Sequence, residues 1–189
     1  PVTISSISQS SSAETNTDAF GRQRISSPLT LFDSSHRYKD NGLWNEDITG
    51  DASSTFSLNE GLINLTVGDN ANDEIIRETN KVMSYQPGKS LMILNSFVFN
   101  AAKTGLRQRV GYFASDNGIY LEQDGTNIYV VERSKITGSV VESKIAQADW
   151  NIDKLDGTGT TGYTLDLTKA QILYIDLEWL GIGTVRIGF

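Results

Sequence analysis

The chain has 189 residues, no cysteine, one histidine and a formal net charge of −7. A disulfide framework, a cysteine-based zinc site and thiol catalysis are therefore excluded, and the acidic balance argues against a nucleic-acid groove, which needs clustered Lys and Arg. One domain with appendages fits the length, and no apolar run reaches the ~18 residues of a membrane-crossing helix, so neither membrane insertion nor nucleic-acid binding is expected.

Residues 1–17 hold a single charge and eleven Ser, Thr, Gln or Asn, with a sparse apolar trickle at Val2, Ile4 and Ile7. A segment this polar cannot bury enough surface to order itself. A start at Pro1 fits removal of an initiator Met, and no basic region followed by an apolar one marks a secretory signal. The polar lead runs into Asp18-Ala19-Phe20-Gly21-Arg22-Gln23-Arg24-Ile25, then Ser26-Ser27-Pro28-Leu29-Thr30-Leu31-Phe32-Asp33. Pro28 biases Ser27 to extended backbone, which predicts a strand or strand-like staple over 25–33. An extended segment cannot bury its own Phe20, Ile25, Leu29 and Phe32. Arg22 and Arg24, like Arg107 and Arg109 further on, suit acidic neighbours through forked hydrogen bonds, with ordinary solvated arginine as the alternative reading. Residues 1–33 are thus expected to be an anchoring arm, with Asp18, Phe20, Arg22, Arg24, Ile25, Leu29 and Phe32 as its contacts on sister subunits.

From there the apolar period is two. Residues 55–58 and 62–67 flank Asn59-Glu60-Gly61 as a hairpin. Strands are expected at 74–79 and 81–85, followed by a type I or II turn at Gln86-Pro87-Gly88-Lys89. Residues 91–99 form the most apolar run, which predicts a central strand covered on both faces. Residues 107–113, 119–123 and 127–133, joined at Asp116-Asn117-Gly118 and Asp124-Gly125, predict a three-strand meander. Another strand follows at 139–145, then a loop over 148–162, one helical turn at 167–171, and closing strands at 172–180 and 182–189. Ten to twelve strands and no amphipathic helical period predict an all-β fold: an antiparallel β-sandwich over 34–189, jelly-roll-like, with a concanavalin-like form as one version. Because residues 184–189 alternate like a strand and stop without a polar tail, the sandwich is expected to continue beyond 189.

No catalytic centre stands out. Asp176 and Glu178 project from one face of a strand beside Trp179, as paired carboxylates of a glycosidase do. The Glu-x-Asp-x-x-Glu strand of laminarinase-type enzymes has Tyr174 at its first position here, and Trp179 fills the last, so a strand with one polar face is the plainer reading. Asp149, Asn151 and Asp153 are spaced like calcium ligands, but Lys154 replaces the loop glycine and Thr160 the closing Glu. A capped turn is expected there, with no metal and no cofactor. His36 alone supports neither zinc nor a Ser-His-Asp triad. Tyr112, Tyr120, Tyr129 and Trp150 carry rings that stack on sugars or pack a core. Of these, Trp150 and Tyr120 are the candidate glycan contacts.

The run Asp-Ala-Phe-Gly-Arg-x-Arg-Ile-Ser-x-Pro-x-Thr-Leu-Phe-Asp resembles a group of virion structural proteins from tailed phages, especially phages of aquatic bacteria. Matching pieces recur at Ser35-His36-Arg37-Tyr38, Tyr85-Gln86-Pro87-Gly88-Lys89-Ser90, Leu106-Arg107-Gln108-Arg109-Val110-Gly111-Tyr112-Phe113, Asn117-Gly118-Ile119-Tyr120, Ala146-Gln147-Ala148-Asp149-Trp150-Asn151 and Asp176-Leu177-Glu178-Trp179-Leu180-Gly181. The resemblance covers residue 18 onward. It implies a virion component, whether fibre, baseplate-associated part or head decoration, built around a jelly-roll-like sandwich and partnered by other virion proteins and by copies of itself. It supplies no catalytic residues. The expected function is therefore structural and non-enzymatic, with a host-surface glycan-binding module as the alternative and a glycosidase ranked last.

Overall fold

The computed structural model describes residues 29–178 and 183–189. Regular structure there is eleven strands and a single 3-10 turn at Gln147–Asp149. The strands are β1 (Trp44–Thr49), β2 (Ser53–Ser57), β3 (Leu62–Thr66), β4 (Glu74–Thr79), β5 (Leu91–Phe97), β6 (Arg107–Phe113), β7 (Gly118–Asp124), β8 (Asn127–Ser134), β9 (Val141–Ala146), β10 (Gln171–Glu178) and β11 (Thr184–Gly188). Every pairing is antiparallel. The fold is all-β, as the alternation of apolar and polar residues dictates. The described residues group into two compact units, 29–85 and 86 onward.

The second unit is a sandwich. One sheet has the order β11-β10-β5 and the other is the meander β6-β7-β8-β9. Leu121 from one sheet and Leu173 and Ile175 from the other meet in a core with Phe99, Leu165 and Leu167. Val110, Tyr112 and Ile128 pack on it from the meander, and Ile93, Phe97, Val185 and Ile187 from the facing sheet. The turns follow their sequences. Lys89 N–H donates to the Gln86 carbonyl at 3.1 Å with Gly88 at φ +82°, which makes this turn type II. Gly125 and Thr126 link β7 to β8 in a two-residue loop, with Asp124 opposite Asn127.

Three elements differ from their sequence patterns. β5 lies at the edge of its sheet, and the central strand is β10. On β5 Met92 and Leu94 are 44% and 59% exposed, whereas β10 buries Leu173 and Ile175 on one face and Asp176 and Glu178 on the other. An apolar run reports side-chain chemistry, but coverage depends on which strand acquires two neighbours. Residues 81–85 form no strand. β4 pairs only with β1, whose register ends at Trp44 opposite Thr79, so the following residues have no ladder to join. Residues 167–169 form a turn instead of a helical one. The Asp166 side chain accepts from Thr168 N–H at 3.0 Å and Thr168 Oγ1 at 2.6 Å, and this local capture of the backbone competes with helix.

The first unit, 29–85, consists of two ribbons, β1-β4 and β2-β3. Trp44, Glu46, Ile48, Ile75 and Arg77 share one face of the β1-β4 ribbon, by register and alternation. Arg77 lies over the Trp44 ring at 5.4 Å and pairs with Asp40 at 3.1 Å and with Glu46. Ser54 on β2 donates to Glu46 at 2.7 Å, which sets the Phe56 and Ile63 side of the second ribbon towards the first.

Candidate functional site

The meander has two faces. One carries Val110, Tyr112, Leu121 and Ile128 into the core. The other carries Arg107, Tyr120, Glu122, Val131, Arg133, Glu142 and Lys144, which the register brings together from all four strands. On that face Tyr120, Glu122 and Val131 have no exposure at all. Arg107 bridges two carboxylates, bonding Glu122 through Nε and Glu142 Oε2 through Nη2 at 2.9 Å. Lys144 also reaches Glu122. Arg133 donates to Glu142 Oε1 from Nη2 at 2.6 Å and from Nε at 3.1 Å, and the Tyr120 hydroxyl donates to the same oxygen at 2.8 Å. The Arg133 guanidinium covers the Tyr120 ring at 5.4 Å, and Phe113 packs on that ring at 4.5 Å.

Burial works to raise the Glu142 carboxyl, but hydrogen bonds from Arg133 and Tyr120, with the charges of Arg107 and Arg133, hold it down at about 2. Burial pushes the Tyr120 hydroxyl up, and its hydrogen bond to Glu142 adds to this. Glu142 is thus ionised at neutral pH and has no proton to give. The arrangement fixes a sheet face through opposite charges and a covered ring. It is a mechanical brace across four strands.

The candidate residues fall in different places. Tyr120 is fully buried in this network, so it is unavailable to stack on a sugar. The Trp150 ring lies against Phe189, stacked at 6.2 Å and 20°, and packs on the sandwich core. Both aromatics named as glycan contacts are packing residues. Asp18, Phe20, Arg22, Arg24 and Ile25 lie outside the described residues. Leu29 is 83% exposed. Phe32 meets Trp44 of its own chain edge-on at 5.7 Å, which places it in the folded unit and not on an arm. Ser34 accepts from Trp44 Nε1 at 2.8 Å, and His36 stands 6.4 Å from the same ring, so alternate residues of an extended segment line Trp44. Of the two sandwich arginines expected to meet neighbours, Arg107 is held by Glu122 and Glu142, and Arg109 lies 5.9 Å from the Phe113 ring.

Asp176 and Glu178 do share one face of β10, but they are 0% and 1% exposed, and Arg186 on β11 approaches Asp176 at 3.5 Å. The polar face read from the sequence is thus a buried one. The loop with calcium-like spacing is an aspartate-capped turn. Asp153 accepts Leu155 N–H and Thr161 N–H, each at 2.8 Å, and Asp156 accepts Thr158 N–H at 2.9 Å. The two backbone bonds at Asp153 hold its carboxyl below the usual range. Gly159 makes room for that carboxylate, since a Cβ there would lie 2.0 Å from Asp153 Oδ1. Among the described residues no cluster of three His, Cys, Asp or Glu side chains could hold a metal.

The brace was missed in the sequence because it depends on register. Its signal is nonetheless present: Tyr120 and Glu122, Val131 and Arg133, and Glu142 and Lys144 each stand two apart, which fixes them to one face once the strands are paired. No family model, curated protein or solved structure matches the chain.

Proposed function

We propose that this chain is a non-enzymatic structural component of a tailed-phage virion, displaying a braced β-sandwich and assembling with copies of itself and with other virion proteins. The observation that carries the reading is the state of the unit at 29–85. None of its described side chains is fully buried, whereas the sandwich buries Tyr120, Leu121, Leu173, Ile175 and others. The same unit exposes Leu29 (83%), Leu58 (59%) and Val82 (84%). Two-stranded ribbons are marginal on their own in water, and small units need added burial. Each such side chain covered by a neighbour stabilises assembly by about 1.5–3 kcal/mol. The resemblance at 18–33 and the polar lead at 1–17 support an arm that reaches those neighbours.

The arm is tested by deleting residues 1–28, which leaves Phe32 on Trp44, and measuring incorporation into particles. Loss of incorporation with the sandwich still folded is expected. Undiminished incorporation refutes the anchoring role.

A further inference from the structure

The unit at 29–85 is electrically two-sided. Its cationic side chains are Arg37, Lys39, Arg77 and Lys81. Arg77 is committed to Asp40 and Glu46, and Lys81 donates to the Leu31 carbonyl at 3.0 Å. Arg37 and Lys39 have no hydrogen bond or ion pair among the described residues. They flank Tyr38, which is 83% exposed, on a loop that lines an open cleft of about 320 Å³ with Ser35 and Asn41. In a chain of net charge −7, this is a concentrated basic spot beside an exposed ring.

The β1-β4 ribbon presents its opposite. The face turned away from Trp44 and Arg77 carries Asp47, directly across from Ile76, and Glu74 and Glu78 two residues to either side along β4. Asp47 and Glu78 are exposed and have no partner among the described residues. Ile76 between them is 37% exposed. The basic loop lies on the Trp44 side of the ribbon, since Asp40 reaches Arg77 and Ser34 reaches Trp44. The acidic face lies on the reverse. A loop of two cations around an aromatic ring on one side, and carboxylates around the apolar Ile76 on the other, match each other in sign of charge and in apolar centre. They cannot meet within one copy.

We infer that the Arg37-Tyr38-Lys39 loop of one copy docks on the Asp47, Ile76 and Glu78 face of a second copy. The contact is head-to-tail, so repetition closes a ring or extends a fibre. It adds apolar cover to a unit that lacks burial of its own. The inference rests on the reading of the chain as a self-assembling component and names the surfaces that meet. These groups are exposed and peripheral to both ribbons' packing, so reversing their charge leaves the fold intact.

The test is the association constant of the full chain, measured by sedimentation for the wild type, the double variant Arg37→Glu with Lys39→Glu, the double variant Asp47→Lys with Glu78→Lys, and the variant carrying all four changes. Each double reversal is expected to weaken association by about tenfold or more, because like charges then face each other. The fourfold variant is expected to recover it. Wild-type association is also expected to weaken from about 0.1 M to about 1 M salt, as the screening length falls from about 10 to about 3 Å. An oligomer unaffected by either reversal overturns the docking inference and leaves self-assembly standing. Weakening without recovery overturns it too, because the two surfaces then do not meet each other. A wild-type chain that stays monomeric overturns both the inference and the self-assembly reading.

Discussion

Truncating Leu173 to Ala should destabilise the sandwich by about 2–5 kcal/mol. Leu173 has no exposure, sits on the central strand β10, and faces Leu121 across the core with Phe99, Leu165, Leu167 and Ile175. Removing its methyl groups loses their burial and leaves a cavity between two sheets that are tied by backbone ladders and cannot close freely. Since a domain is stable by only about 5–15 kcal/mol, the loss is a large share of the total. A urea or thermal melt reads it, with a fall in Tm of more than about 10 °C. Leu94→Ala is the contrast. Leu94 is 59% exposed on edge strand β5 and should cost less than about 0.5 kcal/mol. Equal losses at the two positions would mean that β5 is buried as deeply as β10.

The second large effect is expected at Glu122. Its carboxylate has no exposure and is held by Arg107 and Lys144, whose side chains keep 36% and 31% of theirs. Glu122→Ala removes the anion that Arg107 and Lys144 share and leaves Glu142 as the carboxylate near both cations. Breaking a wholly buried pair costs about 3–5 kcal/mol; water still reaches both cations here, so about 2–3 kcal/mol is expected. Lys135→Ala, which breaks a pair with Asp116 whose partners are each 45% exposed, should cost under about 0.5 kcal/mol. The same network makes part of the sandwich's stability depend on pH. Glu142 is held at about 2, below its ordinary value of 4.5. A carboxyl depressed by folding contributes stability that is complete above its unfolded value and is lost as pH falls through its folded one. The contribution should therefore fade between pH 4.5 and about 2, and a Glu142→Gln variant should show a flatter stability curve over that window. Denaturant titrations at several pH values check both statements, and a Glu122→Ala variant as stable as the wild type would show that the brace adds nothing.

The sequence carried the fold class because strand periodicity and turn chemistry are local. Asp116-Asn117-Gly118 and Gln86-Pro87-Gly88-Lys89 could be read as turns from their own residues, and the meander between β6 and β8 followed. Coverage was not local. Met92 and Leu94 look like core residues until β5 is found at an edge, and Asp176 and Glu178 look like a solvated face until β10 is found at the centre. Tyr120 and Trp150 carry the rings that a sugar site needs, but the same rings fill space, and only tertiary contact decides between the two. Phe32 looks like a contact for a neighbour until its partner, Trp44, is found twelve residues on in the same chain. The charged brace needed the register of four strands, which no single segment specifies.

The central claim is that the unit at 29–85 completes its burial on other molecules. Hydrogen exchange of the β1-β4 amides in the full chain tests it most directly, compared between dilute dissociated protein and the assembled form. The account predicts fast exchange over 44–79 in the dissociated chain and marked protection on assembly, with β6 to β9 protected in both. Equal, strong protection of 44–79 in the dissociated chain would contradict it.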